Sequence, residues 1–236
     1  MLASARAIEI ASQFLQVDLL PTAPCGAGLH QIERIVMTKA KLKPTDDDAI
    51  HTDGRRQRSD ANRRRIAEAL IDLAIAGETS PSAERVAETA GVGRRTVFRL
   101  FSDMDGVYRE AHALMIARLA PIIDEPIHGP TWRARLDQLV DRRVRLFEEI
   151  LPIKSGSDAR RGQSAFLQSG HEEFTRLLRG VLLFVAPKSV SEDRTLFEAV
   201  ELTLSFESWR RLRQEQRLSA KMAGSVMRRM IAALLD

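Results

Sequence analysis

The side chains best suited to chemistry in this chain are three arginines and a threonine close together in sequence, Arg94, Arg95, Thr96 and Arg99. A guanidinium group can donate two hydrogen bonds to O6 and N7 of guanine, and a threonine methyl group can contact the methyl of thymine. The apolar spacing of residues 94–101 predicts a short helix that exposes these four side chains and buries Val97, Leu100 and Phe101. No acidic residue stands between Glu88 and Asp103. The exposed face is therefore typical of a surface that enters the major groove of DNA.

A second short helix and a tight turn must position that face. Ser82 is a favourable first cap for a helix that buries Val86, Ala87 and Ala90. The turn at residues 91–93 contains Gly91, which can adopt a positive φ because it has no Cβ. Two short helices joined in this way form a helix-turn-helix. The alternative interpretation is an ordinary helical hairpin whose arginines are solvated.

A cluster of arginines precedes these helices. Residues 55–65 contain six arginines and one acid, Asp60, which gives this segment a net charge of +5. The arginines are Arg55, Arg56, Arg58, Arg63, Arg64 and Arg65. Such a segment can neutralise backbone phosphates or reach into a minor groove.

The composition is that of a folded chain with a small positive charge. Of 236 residues, 44% are hydrophobic and 29% are charged, which excludes a wholly disordered chain. The net charge is only +4, so the local arginine clusters, and not the total, indicate an acidic partner. The single cysteine, Cys25, excludes an internal disulfide framework and a cysteine-based zinc module. Because no apolar run approaches the length of a membrane span and the N-terminus lacks a secretory pattern, we expect a cytoplasmic protein.

The apolar periodicity predicts an all-α protein in three parts. Residues 1–58 are expected to be a disordered or weakly ordered extension, with a weak helix over residues 1–20 and a candidate translation start at Met37. A small helical unit over residues 59–120 has helices at 63–77, 82–90 and 94–101 and a fourth that begins after Asp103. A larger bundle over residues 121–236 has helices at 131–151, 163–185, 191–217 and 219–235, with a loop at 154–162.

Residues 63–120 resemble the DNA-binding domain of the TetR family of bacterial transcriptional repressors. The resemblance rests on the helix that ends at Gly77, the helix that starts at Ser82, the segment GVGRRTVFRLF at residues 91–101 and SDMDGV at residues 102–107. It implies that residues 59–120 are a three-helix helix-turn-helix DNA-binding domain and that residues 121–236 are a ligand-binding and dimerisation bundle. It also implies a homodimeric, ligand-responsive repressor that binds a palindromic operator in double-stranded DNA and responds to a small-molecule effector. The last two helices, with Trp209, would form the dimer contact.

The resemblance also assigns the site residues. Arg95, Thr96 and Arg99 would face base edges, and five further residues would contact the DNA backbone: Arg63, Arg64, Ser82, Arg94 and Phe98. The family commonly has Ser at the position of Gly93, Tyr at that of Phe98 and Lys at that of Met104, so this chain lacks a helix cap and two phosphate contacts. These departures keep open an alternative, a helical protein of the same fold that has lost DNA binding and acts through protein–protein interaction.

Other function classes find little support in the sequence. The chain has no Gly-x-Ser-x-Gly, phosphate-loop or His-Glu-x2-His motif, so we expect no enzyme, cofactor or metal. His171, beside Glu172 and Glu173, is a candidate polar anchor or metal ligand that lacks a histidine partner at metal-ligand spacing. Arg142 and Arg143 either recognise an acidic effector or lie on a solvated helix face. The bundle aromatics, expected mainly in the core, are Phe147, Phe166, Phe174, Phe184, Phe206 and Trp209.

Overall fold

All regular secondary structure in the described part of the chain is helical. A computed structural model describes the backbone of residues 46–236 and the side chains from residue 56 onward. The helices are α1 Asp46–Ile75, α2 Ala83–Thr89, α3 Arg94–Leu100, α4 Met104–Ile123, α5 Trp132–Arg160, α6 Ala165–Val185, α7 Lys188–Ser191, α8 Arg194–Thr203, α9 Phe206–Arg210 and α10 Ala220–Leu235. A short 3-10 helix, Arg161–Gln163, follows α5, and a π-helical turn, Arg211–Glu215, follows α9. The predicted all-α class is confirmed. None of the helices in this part of the chain has the length and hydropathy needed to cross a bilayer.

The chain divides into two units, residues 1–62 and residues 63–236. The second unit contains a continuous hydrophobic core to which α1 contributes Ile66 and Ile71, and the bundle contributes Phe147, Phe206 and Trp209. The structure gives Asp46 as the first residue of α1, whereas the apolar spacing predicts a start near residue 63. A polar helical segment carries no apolar periodicity, so its start cannot be found from that pattern. The weak helix over residues 1–20, the translation start at Met37 and Cys25 lie outside the described residues.

Side-chain caps explain where most of the helices begin. In seven helices the residue before the first helical residue accepts a hydrogen bond from a backbone N–H of the first turn. These caps are Ser82, Asp103, Thr131, Ser164, Asp193, Ser205 and Ser219. The predicted starts at Ser82, Asp103 and Ser219 are thereby confirmed.

The prediction of a loop at residues 154–162 is wrong for most of its length, because α5 continues to Arg160. Pro152 lies inside the helix, where it removes one backbone donor. The Ser155 hydroxyl donates to Leu151 O at 2.7 Å, the Ser157 hydroxyl donates to Lys154 O at 3.0 Å, and Gly156 packs against the backbone of Thr79. Tertiary packing therefore overrides the low helix propensity of this Pro-, Gly- and Ser-containing segment.

The prediction of one helix over residues 191–217 is also wrong. The chain leaves the helix at Leu204 and starts again at α9, where Ser205 is the cap. Arg143, from α5, donates to Leu204 O at 2.7 Å and so satisfies a backbone carbonyl at the break. This partner lies 61 residues away in sequence, and no local pattern indicates it.

Candidate functional site

The turn between α2 and α3 has a defined backbone geometry. Gly91 has a φ of +62°. Its N–H donates to Glu88 O, and the N–H of Val92 donates to Ala87 O, both at 3.0 Å. These two bonds form a Schellman motif, in which a residue in the left-handed region ends the helix. The predicted role of Gly91 is confirmed.

Three contacts fix α2 and α3 relative to each other and to α1. Arg65, from α1, donates to Ala90 O at 2.7 Å, at the C-terminal end of α2. An ion pair of 2.7 Å joins Glu84 on α2 to Arg94 on α3. Val97 on α3 is buried in the common core. The two helices therefore present one fixed outer surface rather than a mobile one.

That outer surface carries the side chains that the sequence predicts to read bases. Arg95 and Arg99 are exposed, and Thr96 is half-buried. Within the described part of the chain, Arg95 and Arg99 have no hydrogen bond or ion pair. Phe98, 43% exposed, lies on the same short helix. The helix thus holds two available guanidinium groups one turn apart, with a methyl-bearing hydroxyl residue between them.

The predicted backbone-contacting residues already have partners within the chain. Arg64 pairs with Glu68 at 3.0 Å, and the hydroxyl of Ser82 accepts a bond from the Arg85 N–H at 3.2 Å. Besides its ion pair with Glu84, Arg94 lies over the ring of Phe98, 5.3 Å from its centroid.

Arg63 is the most constrained of them. Its guanidinium donates to Leu100 O, lies 4.6 Å from the ring centroid of Phe101 and is 3.7 Å from a Glu110 carboxylate oxygen. Arg63 therefore anchors the C-terminal end of α3, a role that the sequence does not indicate.

Two of the departures from the TetR pattern have visible structural consequences. Gly93 is the residue before α3 and provides no side-chain cap. Met104 packs against the hydrophobic core as a partly buried side chain. The first turn of α3 therefore lacks the capping bond found in seven other helices.

A cavity of about 300 Å³ lies within the second unit. Helices α4, α5 and α6 form most of its wall, and the end of α1 with residues 78–81 closes one side. The hydroxyl of Ser164 donates to Asp105 at 2.7 Å, which places the starts of α6 and α4 side by side. Ile116 and Leu177 line the cavity and are 43% and 47% exposed, so it opens to solvent. Its wall is predominantly apolar.

The polar groups of the cavity wall lie mainly toward the start of α4. Burial raises the pKa of Tyr108, and its hydroxyl has no hydrogen-bond partner within the described residues. Solvent reaches His112 from the cavity, yet desolvation by the surrounding apolar atoms lowers its pKa. Its ring stands edge-on to Phe166, with 5.9 Å between centroids. At pH 7 both side chains are therefore uncharged.

His171 also lines the cavity, but its surroundings form an ion-pair network. Its Nδ1 lies 3.1 Å from Nζ of Lys154, and the same ammonium group pairs with Asp158. Asp158, His171 and Glu207 offer ligand atoms that lie within 4.8 Å of one another. The ammonium group of Lys154 already provides the positive charge at this cluster, so these contacts do not favour a metal ion there.

The cavity is connected to the segment that leads into α2. Arg160, near the end of α5, donates to Pro81 O at 3.3 Å. Gly156 is buried, and a Cβ at this position would lie 3.4 Å from Thr79 O. Both contacts reach the connection between α1 and α2, immediately before the Ser82 cap. The cavity wall is therefore in contact with the segment that leads into α2.

The C-terminal helices expose an apolar surface. Leu202 on α8 is 63% exposed, and Met222 and Met230 on α10 are 53% and 46% exposed. The prediction that Trp209 lies at a dimer contact is wrong, because this side chain is completely buried inside the chain. Its indole N–H donates to Glu148 at 3.1 Å.

Sequence reasoning missed the polar residues of the cavity. Tyr108 and His112 are spaced i, i+4 on α4, a signal that shows a shared helix face but not what that face contacts. Arg160 fell in the predicted loop, so its position could not be found. Of the bundle aromatics, Phe166 and Phe174 line the cavity, whereas Phe147, Phe206 and Trp209 are core residues and Phe184 is exposed.

The predicted site residues thus fall into two groups. Arg95, Thr96 and Arg99 form an available surface on α3, and the others are held by contacts within the chain. Comparisons with protein-family models, with curated proteins and with solved structures found no match to this chain.

Proposed function

We propose that the protein is a sequence-specific, DNA-binding transcriptional regulator that acts as a homodimeric, ligand-responsive repressor. The observation that carries the proposal is the outer face of α3, where Arg95 and Arg99 are exposed and unpaired within the described chain. Arginines without internal partners can bind guanine edges without breaking a bond inside the chain. The only free-energy costs on their side are the ordering and desolvation of the side chains themselves. In this proposal the fixed α2–α3 surface is a helix-turn-helix, and α3 lies in the major groove.

The internal contacts favour different roles for the predicted DNA-binding residues. Arg95, Thr96 and Arg99 read bases, whereas Ser82, Phe98 and Arg64 lie at the edge and approach the DNA backbone. Arg63 and Arg94 retain their internal bonds and position α3, so their contribution to phosphate binding is indirect.

The exposed apolar side chains of α8 and α10 provide the dimer contact. A two-fold axis brings the same patch of each chain together, so Leu202, Met222 and Met230 pack against their counterparts. Such a dimer presents two copies of α3 to successive major grooves, about 34–36 Å apart, and therefore binds a palindromic site.

The cavity is the effector site. A ligand changes the DNA affinity only if it binds one arrangement of the reading helices better than the other. The hydrogen bond from Arg160 to Pro81 O and the packing of Gly156 beside Thr79 supply a physical route for that difference.

Binding to DNA fragments from the gene's own upstream region tests the proposal. We expect tight binding of one fragment that keeps its preference over unrelated DNA while the affinity falls steeply with salt. Binding that falls with salt and shows no preference, or no binding at all, would favour the alternative of a fold that acts through protein–protein contacts. Exposed Phe98 is the observation that favours that alternative, because an aromatic side chain on a short helix also suits a protein partner.

A further inference from the structure

The cavity wall carries arginines that form no ion pair within the described part of the chain. Three arginines line the cavity, Arg142, Arg143 and Arg160. Among the described residues, no carboxylate lies within ion-pairing distance of any of them. The single acid of the wall, Glu78, pairs with Arg85 at 3.3 Å. An apolar cavity with unbalanced guanidinium groups favours a negatively charged ligand.

Two of the three arginines are already occupied by backbone carbonyls. Arg143 donates to Leu204 O at 2.7 Å and to Leu178 O at 2.6 Å, and burial lowers its pKa to about 10. Arg142 donates to Glu125 O at 3.0 Å. Arg142 therefore satisfies a carbonyl just after α4, and Arg143 satisfies one carbonyl at the end of α8 and one inside α6, although its Nε has no partner among the described residues. The charge of both adds to the positive potential of the wall.

Arg160 is the arginine of the cavity wall that is available to bind a ligand. Among the described residues, its guanidinium makes one hydrogen bond, a long one of 3.3 Å to Pro81 O, so most of its donors can turn to a ligand. Its charge acts on Tyr108, whose hydroxyl is buried and has no partner among the described residues. A buried hydroxyl without a partner is energetically unfavourable, and a bound acceptor supplies the missing hydrogen bond. Of the acids nearby, Asp158 pairs with Lys154, whereas Asp105 accepts a bond from the Ser164 hydroxyl and keeps its charge near Tyr108.

The rest of the wall suits a hydrocarbon chain. From Tyr108 to Ile123 the wall follows α4 for about 22 Å at 1.5 Å per residue. Met115, Ile116 and Leu119 line this stretch, opposite Ile150 on α5. The cavity therefore combines one polar end with a long apolar remainder.

We propose that the cavity binds an amphipathic carboxylic acid, with its carboxylate on Arg160 and the Tyr108 hydroxyl and its hydrocarbon chain along α4. This inference rests on the proposed function only in treating the cavity as the effector site. When the Arg160 guanidinium turns toward the ligand's carboxylate, it moves away from Pro81 O, so the two acceptors compete for its orientation. Binding therefore weakens the bond that holds the residue before the Ser82 cap, and this is the differential interaction that an effector requires.

Calorimetry on the full chain with dodecanoate, below its micelle concentration, tests the ligand class. Dodecanol and dodecyltrimethylammonium have the same chain with a neutral and a cationic head. We expect dodecanoate to bind at least about tenfold more tightly than either, because only its carboxylate accepts charge-assisted hydrogen bonds from a guanidinium group. Equal binding of dodecanol, or no binding of dodecanoate, would overturn the proposal.

Variants test the position of the carboxylate. Arg160→Gln is expected to weaken dodecanoate binding about tenfold or more and to leave dodecanol binding unchanged, and Tyr108→Phe is expected to weaken dodecanoate about threefold or more. Arg176→Gln, which removes an exposed arginine of α6 outside the cavity wall, is the matched control and should change neither. Circular dichroism melts show that each variant is folded. Unchanged dodecanoate affinity in folded Arg160→Gln would refute the placement.

The two proposals fail separately. Calorimetry needs no DNA, so an absence of DNA binding leaves the ligand result intact. If dodecanoate binds through Arg160 but leaves the DNA affinity of a binding-competent protein unchanged, the competition with Pro81 O is wrong although the ligand class stands.

Discussion

Replacement of Arg99 by Ala separates recognition from stability. The Arg99 side chain is exposed and makes no hydrogen bond or ion pair within the described chain, so its loss changes the free energy of unfolding by at most about 0.5 kcal/mol. A bidentate arginine–guanine contact contributes about 1–3 kcal/mol. A palindromic site uses the contact twice, and if the two half-sites are additive even the lower value weakens binding about 30-fold. Thr96→Ala is expected to act in the same direction with the same effect on stability.

Fluorescence anisotropy with a labelled operator measures the effect, and urea unfolding measures stability. Arg176→Ala is the control, because it removes the same charge from α6 and should reduce the affinity only slightly. Arg63→Ala, unlike Arg99→Ala, should lower stability, because it loses the bond to Leu100 O and the contact with Phe101; the free energy of unfolding should fall by about 1 kcal/mol. Operator affinity that is the same in Arg99→Ala and in the control would refute the assignment of α3 as the reading helix.

Three further predictions follow from particular contacts. Gly93→Ser adds the missing cap of α3 at a position where a Cβ meets no atom within 4 Å. We expect urea unfolding to show that the free energy of unfolding rises by about 0.5 kcal/mol. A lower free energy of unfolding would contradict the capping argument. Glu148→Ala removes the carboxylate that accepts hydrogen bonds from Trp209 at 3.1 Å and from Arg213 at 2.7 Å. The free energy of unfolding, measured in urea, should fall by about 2 kcal/mol, and a fall below about 0.5 kcal/mol would show that water replaces these bonds. Desolvation lowers the pKa of His112, so below about pH 6.5 the unfolded chain protonates this side chain more readily than the folded chain does, and stability is lost as the pH falls. His112→Gln should reduce that loss in urea titrations between about pH 7 and pH 5.5. An unchanged loss would assign it to other groups.

The sequence predicts the α2–α3 segment well because its determinants are local. A Ser cap, a glycine in the left-handed region and the small residues Ala87 and Ala90 all act within a few positions of one another. The start of α4 at Asp103 has the same origin. Local signals of this kind act in the same way in any compact helical chain, so they can be found without knowledge of the tertiary structure.

The remaining features depend on partners that are distant in sequence. The break at Leu204 is satisfied by Arg143, and the helix through residues 154–160 packs beside Thr79. Arg63 looks like one more arginine of a basic segment, but its partners are 37 and more residues away. The cavity likewise depends on residues that are distant in sequence, because its wall combines α1, α4, α5 and α6. No pattern within a single segment predicts it.

Selection of bound fragments from a random pool of double-stranded DNA tests the central claim most directly. The claim is that two copies of the Arg95, Thr96 and Arg99 surface read one site. We expect the selected fragments to share a motif with two-fold symmetry, its half-sites about one helical turn apart and containing guanine. A pool that shows no enrichment, or a motif that is selected equally well by the Arg95→Ala, Arg99→Ala double variant, would contradict it.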